Sequence, residues 1–311
     1  WLITRNTVLY NLVFIILGIV LPVTLAILLK EIFKYSFYIF LNEIIDKANW
    51  TVDRFILGSI CGTVQTAIYS VAGQLNTMYM NFSTAISGVM LPKITKMEDS
   101  KASNEEFTKE FIKTGRIQYL LMALIITGFV LFGQAFINLW AGEGYESAYK
   151  ISCILMIPLT VPLIQNIGLS ILQAKNLYKY RTRIFLLIAI LNIAISIPLS
   201  KLYGGIGAAW GTSVSLILGQ IIILNIYYYK KVGIDIPRFW INIIKMSIPM
   251  VAVVLFGILL NIIIPSNRII ILGGKIILYA IAYCIVVWLF SMNDYEKNLI
   301  TKPINKIIKK V

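Results

Sequence analysis

The chain has 311 residues, of which 59% are hydrophobic and only 14% charged, and its mean hydropathy is +0.82. Soluble domains are ~45–50% apolar, so a water-soluble globular fold is excluded. A net charge of +14 would point to nucleic acid on a soluble domain, but here the Lys and Arg residues fall between long uncharged stretches, and the solvent those stretches require is lipid.

Stretches without Asp, Glu, Lys or Arg run over 8–29, 55–92, 117–142, 151–174, 184–200, 202–229, 246–267 and 276–292. Crossing a bilayer as a helix takes ~20 apolar residues. A further segment, 32–50, is apolar and aromatic yet carries Lys34, Glu43, Asp46 and Lys47. Together they predict an all-α, polytopic transmembrane bundle of about nine helices. Residues 1–29 form an amino-terminal membrane segment of their own. From Lys30 onward the pattern predicts eight helices, about 32–50, 64–92, 112–137, 147–172, 182–202, 207–229, 242–264 and 268–290, which make one transmembrane lobe over 30–293. The longest hydrophilic connection, 93–116, follows Pro92 and carries charges of both signs, as a solvated, partly helical loop does. The tail 294–311 sets Ile300, Ile304, Ile307 and Ile308 on one helical face, interrupted by Lys302, Lys306, Lys309 and Lys310. That pattern suits a basic interfacial helix on anionic lipid.

Alternate connections differ sharply in charge. One set holds Lys93, Lys96, Lys101, Lys109, Lys113 and Arg116, then Lys175, Lys179, Arg181 and Arg183, then Lys230, Lys231, Arg238 and Lys245, with five lysines in the tail. The other holds only Lys47, Arg54, Lys150, Lys201, Arg268 and Lys275. The positive-inside bias therefore puts the basic loops and the carboxy-terminus on the cytoplasmic face of the cell membrane. A single crossing by 8–29 would then leave Trp1 to Arg5 outside, and this parity predicts helices of an earlier lobe before residue 1.

Cys61, Cys153 and Cys284 are far apart in apolar surroundings, without the spacing of a disulfide framework or a metal site; they read as packing residues. The chain has no histidine, hence no Ser-His triad and none of the commonest metal ligand. The chain is expected not to be an enzyme and to hold no cofactor.

Five strings carry a family resemblance: TVDRFILGSICGTVQTAIYSVAGQL (51–75), VMLPKI (89–94), FINLWAGEGYESAYKI (136–151), LQAKNLYKYRTRI (172–184) and GGIGAAWGTS (204–213). Their order and spacing resemble the carboxy-terminal half of the polysaccharide transport family, the lipid-linked oligosaccharide flippases that translocate O-antigen, capsule and teichoic-type repeat units. This family lies in the superfamily that also contains multidrug exporters. The resemblance implies the second lobe of a two-lobed helical bundle in which the lobes enclose a central cavity. RNTVLYNL, within 1–29, looks more like that family's first helix.

An ionisable group at the centre of a membrane helix costs about 2.5–3.5 kcal/mol on insertion scales, so Glu43, Asp46 and Lys47 should face protein or water. With Asn42 and Trp50 they mark either a cavity wall or an ion pair that fixes helix packing. In the first reading Lys47 attracts a phosphate or sugar acid while a carboxylate exchanges H⁺ or Na⁺; Lys34 only snorkels to the cytoplasmic end. Asp53 and Arg54 fall at the presumed outer end, where a loop-capping pair is the simpler account and a substrate contact the sharper one. Among the amides in apolar spans, most serve as hydrogen bonds between helices. Gln74 and Asn81, seven apart, and Gln165 and Asn166, beside Pro158 and Pro162 where a helix may bend, are the candidates for contacting sugar hydroxyls. Gly204, Gly205, Gly207 and Gly211 are followed by no Lys-Ser or Lys-Thr and read as close helix packing, not a phosphate loop.

The resemblance implies flipping of a polyprenyl-diphosphate-linked oligosaccharide from the cytoplasmic to the outer leaflet for cell-surface polysaccharide synthesis. Partners would be the polyprenyl-linked glycan, membrane lipids and polysaccharide polymerase or glycosyltransferase machinery, with no nucleic acid. Three readings stay open beside it. A multidrug or organic-cation antiporter would prefer unpaired carboxylates to cations. A membrane glycan polymerase or ligase would need a large polar outer loop. An inactive truncated flippase would be half of a two-lobed carrier.

Overall fold

The structure is a computed structural model that describes residues 30–265 and 268–308. The predicted span 8–29 lies outside the described residues, as do the side chains of Lys34, Asp46 and Ile304. Among the described residues every regular element is helical.

Helix α1 (Lys30–Ile60) runs well past the end expected at residue 50, because no proline interrupts it before the turn at Cys61. Asp53 and Arg54, expected in an outer loop, are therefore helical. Helix α2 (Gly62–Gly88) returns, and α3 (Leu91–Asp99), with Pro92 in its first turn, lies in the connection that the sequence marks as partly helical. The rest of that connection belongs to α4 (Asn104–Trp140), whose start is fixed by a capping box: the Ser103 side chain accepts from the Glu106 N–H, and the Glu106 carboxylate accepts from the Ser103 N–H. Helices α5 (Glu146–Ile164) and α6 (Ile167–Ala174) replace the single predicted helix 147–172. Pro158 and Pro162 remove two backbone donors, and the helix breaks at Gln165–Asn166.

The apolar stretch Lys179–Val232 is 54 residues long, far more than one crossing, and Gly204 turns it back on itself. At φ 58° and ψ −136° that residue takes a conformation closed to side chains with a Cβ. It divides helix α7 (178–203) from α8 (205–232). The two arms run antiparallel at close range: a Cβ on Gly207 would sit 2.0 Å from the Leu199 carbonyl oxygen, and one on Gly211 would sit 2.8 Å from the Ser196 Cα. The glycines thus act as the small residues of a tight helix crossing, as expected. Helices α9 (Ile236–Ile263) and α10 (Ile269–Ser291) follow, and α11 (Asp294–Ile308) covers the predicted tail helix.

Five stretches are long and apolar enough to cross a membrane: α4, α5, the α7–α8 hairpin, α9 and α10. The chain is a multi-pass membrane protein. Helix α1 packs mainly on the hairpin and on α2, α5 bridges α2, α4 and the hairpin, and α9 and α10 pack against α4. One large apolar core includes Tyr79, Phe107, Phe111, Tyr228 and Phe239; a second, at the other end of α2, gathers Leu57, Tyr69, Ile151 and Ala208. Apolar side chains also cover the outside, including Ile244, Ile248, Val251, Leu255 and Ile262 along α9, as lipid-facing helices require.

Candidate functional site

The polar residues of α1 sort onto different faces. Glu43, Lys47, Trp50 and Thr51, spaced three and four apart, line a cavity of about 480 Å³ between α1, α2, α5–α6 and the hairpin. Asn42 lies on another face and is only 2% exposed; it is a packing residue and does not line the cavity. No ion pair joins Glu43 to Lys47 among the described residues; the side chain of Asp46, the third member of the expected cluster, lies outside them.

Helix α2 contributes Thr77, Asn81 and Thr84 to the opposite wall. Gln74 shares their helical face but sits one turn beyond the lining and is exposed, so Asn81 is brought to the site and Gln74 is not. The break between α5 and α6 contributes Gln165 and Asn166. Their amides already have protein partners. Gln165 and Asn225 exchange two hydrogen bonds of 2.9 and 3.0 Å, and Asn166 donates to the hydroxyls of Ser87 and Ser83 at 3.0 and 3.4 Å. Both amides hold the broken helix in place and present their remaining acceptor capacity to the cavity.

Several lining residues escaped the sequence reading. Arg181, counted there with the cytoplasmic loop charges, sits in the first turn of α7 with its guanidinium carbon 5.1 Å from the centre of the Phe185 ring, and both line the cavity. Gln220 and Tyr228 come from α8. The threonines of α2 left a signal that could have been read: Gln74, Thr77, Asn81 and Thr84 form a polar stripe at helical spacing. Arg181 left none, because only the packing of α7 against α1 shows which way it faces. Among the described residues the cavity lining includes the cations Lys47 and Arg181 and the carboxylate Glu43, with amides, hydroxyls and the flat rings of Trp50 and Phe185 around them.

Asp53 is a correction to the loop-capping expectation. It is 1% exposed, whereas Arg54 is exposed and its guanidinium lies beside Gly73; the two do not act as a pair. The Tyr69 hydroxyl and the Thr212 hydroxyl reach Asp53 Oδ2 at 2.6 and 2.5 Å. Asn192 Oδ1 lies 3.1 Å from the same Thr212 oxygen and 2.7 Å from Ser196 Oγ, and the Ala208 carbonyl is 3.3 Å from both hydroxyls. Asp53 Oδ1 has no hydrogen-bond partner, and no cationic side chain bridges the carboxylate among the described residues. The hairpin makes this cluster: Asn192 and Ser196 come from one arm and Thr212 from the other, apposed because Gly207 and Gly211 let the arms touch. A cavity of about 20 Å³, lined by Asn192 and Thr212, shares Trp50 and Gln220 with the large one. It has room for about one water. Asp53 itself lines neither cavity; Thr212, which donates to it, lines the small one.

The family of polysaccharide biosynthesis proteins matches residues 2–150. A Shigella flexneri protein named as an O-antigen transporter is 24% identical over 199 residues, 64% of this chain and 47% of its own length. AglR of Haloferax volcanii, named as a flippase, is 26% identical over 196 residues, covering 62% and 40% of the two chains. CapF of Staphylococcus aureus, named as a capsular polysaccharide biosynthesis protein, is 25% identical over 205 residues, covering 65% and 50%. The matches span about half the length of these relatives. No solved structure matches the chain. Over these stretches the chain is similar to proteins named as O-antigen transporters, flippases and capsular polysaccharide biosynthesis proteins.

Proposed function

We propose that the chain supplies one wall of the translocation path of a polysaccharide flippase, which moves a polyprenyl-diphosphate-linked oligosaccharide from the cytoplasmic to the outer leaflet. The observation that carries this reading is the cavity in which Lys47 and Arg181 stand among amides, hydroxyls and aromatic rings. A hydrated, anionic headgroup cannot cross ~30 Å of hydrocarbon unaided. Cations suit its diphosphate, and rings and amides suit its sugars, while the polyprenyl tail stays in lipid. The basic loops are read as cytoplasmic. An inside-negative potential then favours outward movement by ~2.3 kcal/mol per charge per 100 mV.

Coupling to H⁺ or Na⁺ is assigned to Asp53. A buried carboxylate without a cation partner is costly unless it is neutralised, and here it must hold a proton or a small cation. The donor set is oxygen only: Asp53, Asn192 Oδ1, the Thr212 and Ser196 hydroxyls and the Ala208 carbonyl. Hard, small cations prefer such donors. The small cavity lined by Thr212 and Asn192 shares Trp50 and Gln220 with the large one, which sets the coupling carboxylate close to the headgroup path. Delivery of the glycan to polymerase machinery on the outer face completes the reading.

The test is complementation of a flippase-deficient strain with the gene of the full-length protein. Lys47→Ala combined with Arg181→Ala is expected to abolish surface polysaccharide with normal membrane insertion, and Lys47→Arg to retain part of it. Unchanged polysaccharide in the double variant overturns the assignment.

A further inference from the structure

A second concavity, of about 320 Å³, opens at the end of the bundle that carries the basic loops, between α4, the start of α9 and the start of α11. It is unlike the transport cavity in composition. Lys109, Lys113 and Arg116 lie four and three apart on one face of α4, and Arg238 faces them from the first turn of α9, with Asn242, Asn293 and Tyr295 completing the wall. Four cations meet here.

Their carboxylate partners are fewer. Glu105 is shared, 3.7 Å from Lys109 and 2.9 Å from Arg238. Glu296 is used up by Arg116, which binds it through Nε and Nη2 at 2.6 and 2.9 Å. Lys113 has no carboxylate partner among the described residues; its ammonium rests 3.7 Å from the centre of the Tyr295 ring, which orders it without neutralising it. The concavity thus has an excess of two positive charges and a rim of amide donors. Beside it the lipid-exposed side of α9 begins: Ile241 lies one turn from Arg238, and Ile244, Ile248, Val251 and Leu255 continue the exposed apolar stripe toward the far end of that helix. A phosphate held by the lysines and Arg238 would have a ready track for acyl chains directly below it.

We propose that this concavity seats the headgroup phosphate of an anionic phospholipid of the leaflet facing the basic loops, with Lys109, Lys113 and Arg238 as its ligands and the α9 stripe as the bed of its chains. Basic pockets at that level of a membrane bundle recognise anionic headgroups through the same chemistry. Arg116 and Tyr295 tie α11 to the pocket floor, so a bound lipid also holds the carboxy-terminal helix against the membrane. The proposal requires the chain to be embedded in a bilayer but does not depend on which substrate it carries.

The test uses the purified chain in neutral detergent, with equimolar phosphatidylglycerol and phosphatidylcholine, read by native mass spectrometry. The wild type is expected to retain phosphatidylglycerol over phosphatidylcholine. Each lysine near a membrane surface contributes ~1 kcal/mol, so Lys109→Gln with Lys113→Gln should weaken that retention about thirtyfold. Lys230→Gln with Lys231→Gln removes the same charge from an exposed site elsewhere and should leave retention unchanged. Equal loss in both pairs, or no headgroup preference in the wild type, overturns the proposal. So does displacement of the lipid by millimolar inorganic phosphate, which would mark a phosphate site and not a lipid one. The wild-type competition stands even if a variant fails to fold. Glycan export left unchanged by Lys47→Ala with Arg181→Ala, with lipid retention intact, would count against the flippase reading alone.

Discussion

Replacing Gly207 by alanine should force the hairpin apart, and the structure sets the size of the effect. The new Cβ would lie 2.0 Å from the Leu199 carbonyl oxygen and 2.4 Å from its carbon, atoms of backbone that no rotamer change can move. A carbon rests about 3.3 Å from a carbonyl oxygen at closest, so α7 and α8 must separate by more than about 1 Å. Overpacking of this kind costs about 1–3 kcal/mol, or roughly 2–10 °C in melting temperature for a chain of this size. The separation also draws Thr212 away from Asn192 and Ser196, so any dependence of stability on Na⁺ or pH should shrink with it. Gly273→Ala is the matched control: nothing lies within 4 Å of its Cβ position, and alanine in a helix interior is neutral or stabilising by up to about 1 kcal/mol. The assay is thermal unfolding in detergent, at several Na⁺ concentrations. If Gly207→Ala and Gly273→Ala melt alike, the close approach of the arms, and the Asp53 cluster built on it, is wrong.

Arg116→Leu should destabilise the chain by about 3–5 kcal/mol, because it strands the buried Glu296 carboxylate; Arg116→Leu with Glu296→Leu should recover most of that loss, and equal melting of the single and double variants would refute a buried pair. Gln165→Leu and Asn225→Leu should each cost about 0.6–2 kcal/mol, and a double-mutant cycle should show that most of it is shared; additive losses would mean that the reciprocal amide pair does not form. Asp53→Asn should keep the Tyr69 and Thr212 contacts while removing the charge, leaving folding intact and abolishing ion dependence of transport in proteoliposomes of the full-length protein. Retained ion dependence would place coupling elsewhere.

Much of the architecture was readable in one dimension, since hydropathy, loop charge and turn chemistry act locally. Apolar runs longer than any soluble core element required lipid. Pro158 and Pro162 marked a bend near Gln165, though in a helix expected to run unbroken over 147–172, and Gly204 to Gly211 marked close helix packing. Side-chain direction was less legible. Spacing left Glu43 and Lys47 open between a cavity wall and an ion pair, and both turn into the cavity without bridging each other. Arg181 looked like one more loop cation until α7 packed against α1 and swung it inward. Asp53 looked like a cap because the end of α1 was placed too early. Once the helix runs on to Ile60, the same residue is buried, and its partners lie 16, 139, 143 and 159 positions away in sequence. Sequence alone determined that this chain lives in a membrane as bundled helices with one strongly basic end, because transfer to lipid and charge sidedness depend on composition along the chain. Tertiary structure alone decided which polar groups meet, because that depends on how helices far apart in sequence rotate and cross, and a rotation of one residue's step, 100°, carries a side chain from cavity to core.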